Sequence, residues 1–259
     1  MQKILSVIVF CFLASGTVSA LDILKRKDSA PFDYTVWSDS VSIPDDMVTA
    51  GILLPVSVGG EAVFADTVRL QPGVENAFAA ALCYVAENID RANDRLDRID
   101  FANHSFQVTQ SSLRGSNNTE TTYTRSTVFV IGDGSMDYRI SDVAIRYREK
   151  GLIPRTLPLE KLNPATNSRH RELVFEMADA NTHYIESMRS FINSNAGMRF
   201  EHPDLMKGGR VVEGMSPLEV KVLLGVPPQI RNSGERERWV YSNDLIVIFT
   251  HGKVTKVIE

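Results

Sequence analysis

The residues able to carry chemistry are few and scattered. The five histidines are His104, His170, His183, His202 and His251, and no two stand three or four apart on a predicted helix with an acid between them. There is no H-E-x-x-H and no pair of cysteines at metal-ligand spacing, so no zinc-type site can be read out. His183, next to Tyr184 and near Glu186, reads as a polar helix position. Asp90, Asp94 and Asp97 recur along one predicted helix edge and alone would suit a cation. Arg91, Arg95 and Arg98 recur beside them at the same spacing, which predicts a mutually neutralised, solvated face. Gly132-Asp133-Gly134-Ser135 lacks the spacing and the Lys of a phosphate loop, and Ser57-Val58-Gly59-Gly60 is not a nucleophile elbow. No catalytic, cofactor-binding or metal-ligating residue is assigned, and no cofactor is expected.

Two features remain. Trp239 and Tyr241 lie two apart on a predicted strand, hence on one face. They either pack on the neighbouring helix or form a partner-binding aromatic pair, since Trp and Tyr dominate binding hot spots. The Pro-pinned segment Leu152–Pro164, close to His170 and Arg171, suggests instead a small-ligand or enzyme site between two domains. Arg231 to Arg238 alternates basic and acidic residues. This reads as an exposed hairpin in which acids cancel bases, not a phosphate patch.

The 259 residues are 43 % hydrophobic and 23 % charged, ordinary globular values. The net charge of −4, from 28 basic against 32 acidic residues, argues against nucleic acid, which needs clustered Lys and Arg. Residues 1–20, MQKILSVIVFCFLASGTVSA, combine Lys3, a short apolar run and the small residues Val18-Ser19-Ala20. This predicts a secretory signal peptide, its apolar run Ile4–Leu13 being too short to span a bilayer. Phe10 before Cys11 does not suit lipoprotein processing. After cleavage Cys83 is left as a single thiol in the apolar helical run Asn76–Ile89, where a small buried hydrophobe is expected.

Elements that could position these residues begin after an irregular leader, 21–60, which is expected to dock in part on the domain next to it. Residues 61–196 read as that domain. Ala62–Leu70 is strand-like. Val74, Phe78, Leu82, Val85, Ile89, Ala92, Leu96 and Ile99 recur at steps of four and three, predicting one long helix whose end is left open, because Arg98–Phe106 also reads as a turn into a strand. Three strands come next. In the second, Tyr123, Arg125, Thr127, Phe129 and Ile131 share a phase. In the third the phase slips between Ile140 and Val143, predicting a bulge near Ser141-Asp142. A second helix spans about 168–193, with Leu173, Met177, Ala180, Tyr184, Met188 and Phe191 on its apolar face. The order β-α-β-β-β-α predicts an α+β fold, an antiparallel sheet with both helices on its one apolar face. Residues 207–259 read as a second, smaller domain. Ser216-Pro217-Leu218-Glu219 opens a helix with a capping box, Gly225 ends it, and three strands come after it, the last two joined by a His251-Gly252 turn.

The C-terminal pattern is Gly214-Met215-Ser216, Glu219-Val220, Leu223-Leu224-Gly225-x-Pro227, Trp239-x-Tyr241 and Gly252-Lys253-Val254. It resembles the SmpA/OmlA family of small outer-membrane assembly lipoproteins. That resemblance implies a small helix-plus-sheet unit working by protein–protein contact at the bacterial cell envelope, without catalysis. Members carry a lipid cysteine at the mature N-terminus, and no cysteine is expected there here. The middle region, through Thr67–Leu82, Asp137–Arg148 and Pro158–Leu162, resembles an uncharacterised envelope-protein family with a TATA-binding-protein-like fold. That likeness implies no catalytic residues and no DNA binding. The expectation is an exported, non-catalytic protein of the periplasm or outer envelope of a Gram-negative bacterium. It would bind protein partners, with no nucleic acid and no stable membrane span, and a role in envelope assembly is implied by the resemblance.

Overall fold

A computed structural model of the chain describes residues 53–58, 60–114, 121–148, 153–242 and 244–259, the side chains of 112–114 excepted. The expected signal peptide, 1–20, and all of the leader before residue 53 lie outside the described residues. Among the described residues the element order is β1 (Val56–Val58), β2 (Glu61–Arg69), α1 (Val74–Asn88), β3 (Arg95–Asp100), β4 (Ser105–Arg114), β5 (Thr122–Gly132), β6 (Ser135–Tyr147), β7 (Arg155–Pro158), a 3-10 turn (Leu159–Lys161) and α2 (Ser168–Ser194). Then come α3 (Pro203–Met206), α4 (Pro217–Leu224), β8 (Gln229–Ser233), β9 (Arg236–Val240), β10 (Ile246–Thr250) and β11 (Lys253–Ile258).

The fold is α+β with two antiparallel sheets. In the larger one the order is β1-β2-β6-β5-β4-β3, and β7 pairs with β6 beyond the end of β2. Period-2 burial on β5 and β6 makes its apolar face: Tyr123, Phe129 and Ile131 alternate on one strand, Met136, Tyr138 and Ile140 on the next. Both helices cover this face. Phe78 of α1 lies 6.2 Å from Phe106 of β4, and Tyr184 of α2 lies 6.4 Å from Phe129 of β5. The predicted bulge is present: Thr124 pairs with Ala144 and Ser126 with Ser141, an extra residue on β6, and Asp142 takes φ 51°. From the leader, Leu53 and Leu54 pack on the core, and Leu53 N–H donates to Thr182 Oγ1 at 3.1 Å.

Three expectations are corrected. The first helix stops at Asn88, earlier than the apolar run to Ile99 implied, and Leu96 and Ile99 belong to β3. The cause is a turn. The Asp90 carboxylate accepts from Ala92 N–H and Asn93 Nδ2, and Asp94 turns inward to accept from Asp90 and Ser111 N–H. Asx-type bonding of this kind competes with the helix ladder. Asp90, Asp94 and Asp97 therefore form no helix edge, and neither do Arg91, Arg95 and Arg98. Secondly, β1, β3 and β7 add to the expected strands, and the C-terminal sheet has four strands, not three, in the order β11-β10-β9-β8. Thirdly, Ala180 is exposed and Asn181 is buried on α2. The buried stripe includes a polar residue because Arg125 on β5 binds it.

In α1, Ala77 to Ala86 are all buried. A helix apolar all round must be covered all round. The sheet covers one side and α2 another; α4 of the C-terminal unit covers the third. One continuous core therefore runs from Phe64 and Leu82 to Val220, Trp239 and Phe249.

Candidate functional site

Several polar side chains, Glu87, Arg91 and Lys221 among them, meet where α4 docks on α1. The capping box sets α4: Ser216 N–H donates to Glu219 Oε2 at 2.6 Å, and Glu219 N–H to Ser216 Oγ at 3.4 Å. The second oxygen of this buried carboxylate accepts from His202 N–H. At the other end, Gly225 takes φ 85°, ψ −171°, a conformation nearly restricted to glycine. Against this end lies Arg91, donating to Val222 O at 3.0 Å and Leu223 O at 3.2 Å. A cation on the last free carbonyls suits the negative end of a helix dipole. Burial holds the Arg91 guanidinium below its ordinary pKa.

Beside this seam is a cleft of about 370 Å³ lined by Cys83, Glu87, Phe191, Pro217, Lys221 and Trp239 among others. Lys221 Nζ lies 2.7 Å from Glu87 Oε1, and the Cys83 thiol lies 3.7 Å from the same oxygen. Cys83 is 2 % exposed. Burial, and then the adjacent Glu87 carboxylate, push its thiol up to about 11. A thiol so placed is a poor nucleophile at neutral pH.

Trp239 and Tyr241 share a face of the small sheet, as their spacing predicts, and both turn inward. Trp239 is 4 % exposed, lies 4.7 Å from Phe249 and donates from Nε1 to Glu237 Oε1 at 2.6 Å. Tyr241 is half-buried and donates to Gly225 O at 2.9 Å. The pair packs the sheet on α4, and only Trp239 reaches the cleft. His170 and Arg171 are not in the seam. They sit near the N-terminus of α2, about 30 Å along the helix from Phe191, and pin the Pro-rich segment. His170 Nδ1 accepts from Asn163 N–H at 2.9 Å, and Arg171 Nε donates to Pro164 O at 3.0 Å. His183 is exposed, His104 Nε2 lies 3.1 Å from Glu75, and His251 Nε2 lies 3.4 Å from Glu235. Among the described residues no three His, Cys, Asp or Glu side chains converge as a metal-ligand set.

A second groove, about 530 Å³, has a floor of Phe78, Phe101 and Phe200 and a rim that includes Glu75, Arg199 and Lys207. It could not be anticipated, because its walls come from α1, the β3–β4 turn and the segment after α2.

Two solved structures are similar to part of this chain. One is a TBP-like protein from Parabacteroides distasonis, with 12 % identity and a TM-score of 0.43 over 54 % of this chain and 95 % of that one. The other is a DUF4468 family protein from Bacteroides ovatus, with 14 % identity and a TM-score of 0.42 over 57 % of this chain and 95 % of that one. No family model and no curated protein matches the sequence.

Proposed function

We propose that this is an exported, non-catalytic protein of the bacterial cell envelope that binds a protein partner through residues 207–259. The supporting observation is β8. It is the terminal strand of the small sheet, and all five of its residues are exposed. Its edge therefore offers unpaired backbone groups, the usual means by which a sheet recruits another polypeptide. The signal-like residues 1–20 support export. The likeness of Gly214–Val254 to outer-membrane assembly proteins supports a role in envelope assembly.

The test is site-specific photo-crosslinking of the full-length chain in a Gram-negative host, with the probe at Ser233 on β8 and a control probe at exposed Asp179 on α2. A discrete adduct from Ser233 only is expected, on a chain whose mature N-terminus is Leu21. Equal adducts from both positions, or none, would remove the reading.

A second reading places a small ligand in the cleft, where Lys221, Glu87 and Trp239 converge beside apolar walls. Titration of small metabolites against tryptophan fluorescence, compared with Lys221→Met, distinguishes it. A saturable change lost in that variant favours the ligand.

A further inference from the structure

The alternating charges of residues 231–238 are not mixed on the folded surface. Successive residues of a strand point to opposite faces. In the small sheet Arg231 stands opposite Arg238, Arg238 opposite Ile248, and Ile248 opposite Lys256. One row therefore crosses all four strands and carries three cations. The next row is Ser233, Arg236, Thr250 and Lys253. The acids leave this face. Glu237 pairs with Asn232 and points to the α4 side, where Trp239 Nε1 binds it. Glu235, in the turn, lies by His251, and Lys253 pairs with Glu201 of the preceding segment. Arg231, Arg236, Arg238 and Lys256 are exposed. Among the described residues none of the four pairs with a carboxylate. Arg231 donates only to the Gln229 side chain at 3.0 Å.

Like charges directly opposite on neighbouring strands oppose folding. The Arg231–Arg238 pair carries that cost with no acid on its face to offset it. The same strand is the sheet's open edge. Ser233 and Arg236 flank a two-residue turn, so that pair exchanges its hydrogen bonds, as do Arg231–Arg238 and Gln229–Val240. Ile230 and Asn232 therefore direct N–H and C=O outward. Ile230 is also 48 % exposed.

The geometry points to β8 as a docking strand for an extended acidic segment of a protein partner, which adds as a fifth strand and sets alternate Asp or Glu side chains against Arg231 and Arg238. This rests on the reading of residues 207–259 as a protein-binding unit and adds the chemistry of what is bound. Backbone bonds at Ile230 and Asn232 supply the strand pairing, and the cation row selects the sign of the incoming side chains.

The test uses the full mature chain and a fluorescent peptide of alternating Glu and Val. A Lys–Val peptide and phosphatidylglycerol vesicles serve as comparators. Expected are saturable binding of the Glu–Val peptide alone, weakening with salt, and slowed amide exchange at Ile230 and Asn232. Arg231→Glu/Arg238→Glu should weaken binding at least about tenfold. It replaces one like-charged exposed pair by another, so the fold is spared. Asn232→Pro leaves the cations in place and removes only an outward N–H, so it should weaken binding with an unchanged circular dichroism spectrum. Undiminished binding in the Arg variant, unprotected amides, or preference for the vesicles would overturn the inference. If the Ser233 adduct persists in the Arg variant, acidic recognition fails and the broader protein-binding reading stands. If the adduct is absent in the parent chain too, both fail.

Discussion

Lys221 on α4 reaches Glu87 on α1, Nζ to Oε1 at 2.7 Å, across a seam that Arg91 also bridges. The pair links residues 134 positions apart. Both residues line the cleft beside the contact of the two helices. The apolar contact holds the two sheets together, and the charged residues fix where α4 sits along α1.

That division of labour has a measurable consequence. Both side chains are about a third exposed, so the ion pair is largely screened. A double-mutant cycle with Lys221→Met and Glu87→Gln should give a coupling of about 0.5 kcal/mol at low salt. In 1 M NaCl it should fall toward zero. Urea denaturation of the four proteins checks this, and a coupling that survives high salt would mean a desolvated pair.

Cys83 is predicted to resist alkylation. With its thiol near 11, about one molecule in a thousand is thiolate at pH 8, against about a quarter for an ordinary cysteine. Iodoacetamide should modify the folded mature chain at least about a hundredfold more slowly than the urea-unfolded chain. Glu87→Gln removes a neighbouring negative charge, so it should lower the thiol pKa and speed the reaction. Lys221→Met removes a positive charge and should slow it. An unchanged rate in Glu87→Gln would sever the link between the two side chains.

Gly225→Ala joins two penalties. The residue is held at φ 85°, and a Cβ there would sit 2.9 Å from Arg91 Nε. Relief means moving Arg91 off the carbonyls of Val222 and Leu223. The expected loss is about 2–3 kcal/mol, read as a lower urea midpoint. In a background of Arg91→Ala the steric part disappears, so the loss should shrink to the backbone strain alone. Equal losses in both backgrounds would mean that Arg91 yields freely.

Much of this arrangement was legible because local rules agreed with the fold. Ser216, Glu219 and Gly225 fix the ends of α4 by capping chemistry alone. The phase slip after Ile140 foretells the bulge at Asp142. The helix stop at Asn88 was hidden, because Leu96 and Ile99 continue a helical spacing while lying in β3, and the Asp90 turn overrides that spacing. β8 was hidden for the opposite reason. Gln229–Ser233 has no apolar alternation, since an edge strand exposed on both faces needs none. The charge separation on the small sheet could not be read without the register, because a one-residue slip would have exchanged Arg238 for Glu237.

Arg125 supplies the last prediction. Its phase on β5 places it inward with Tyr123 and Phe129, and it is 3 % exposed. Among the described residues no carboxylate bonds it. Nε and Nη2 both donate to Gln110 Oε1, at 2.9 and 2.7 Å, and Nη1 donates to Asn181 Oδ1. Its guanidinium carbon lies 4.5 Å from the centre of the Tyr184 ring. Burial lowers its pKa from the ordinary arginine value. A cation held by two amides and a ring leaves both amide oxygens without a donor when it is removed. Arg125→Met should therefore destabilise by about 3 kcal/mol. Replacing the whole set, Arg125→Met with Gln110→Leu and Asn181→Leu, removes those acceptors, together with Asn181 Nδ2, which has no partner among the described residues. The triple variant should recover most of the loss, because apolar groups of similar volume can substitute for a buried polar network. Chemical denaturation of the single and triple variants decides the matter. A triple variant less stable than the single one would mean that the amides hold α2 against β5 by bonds of their own.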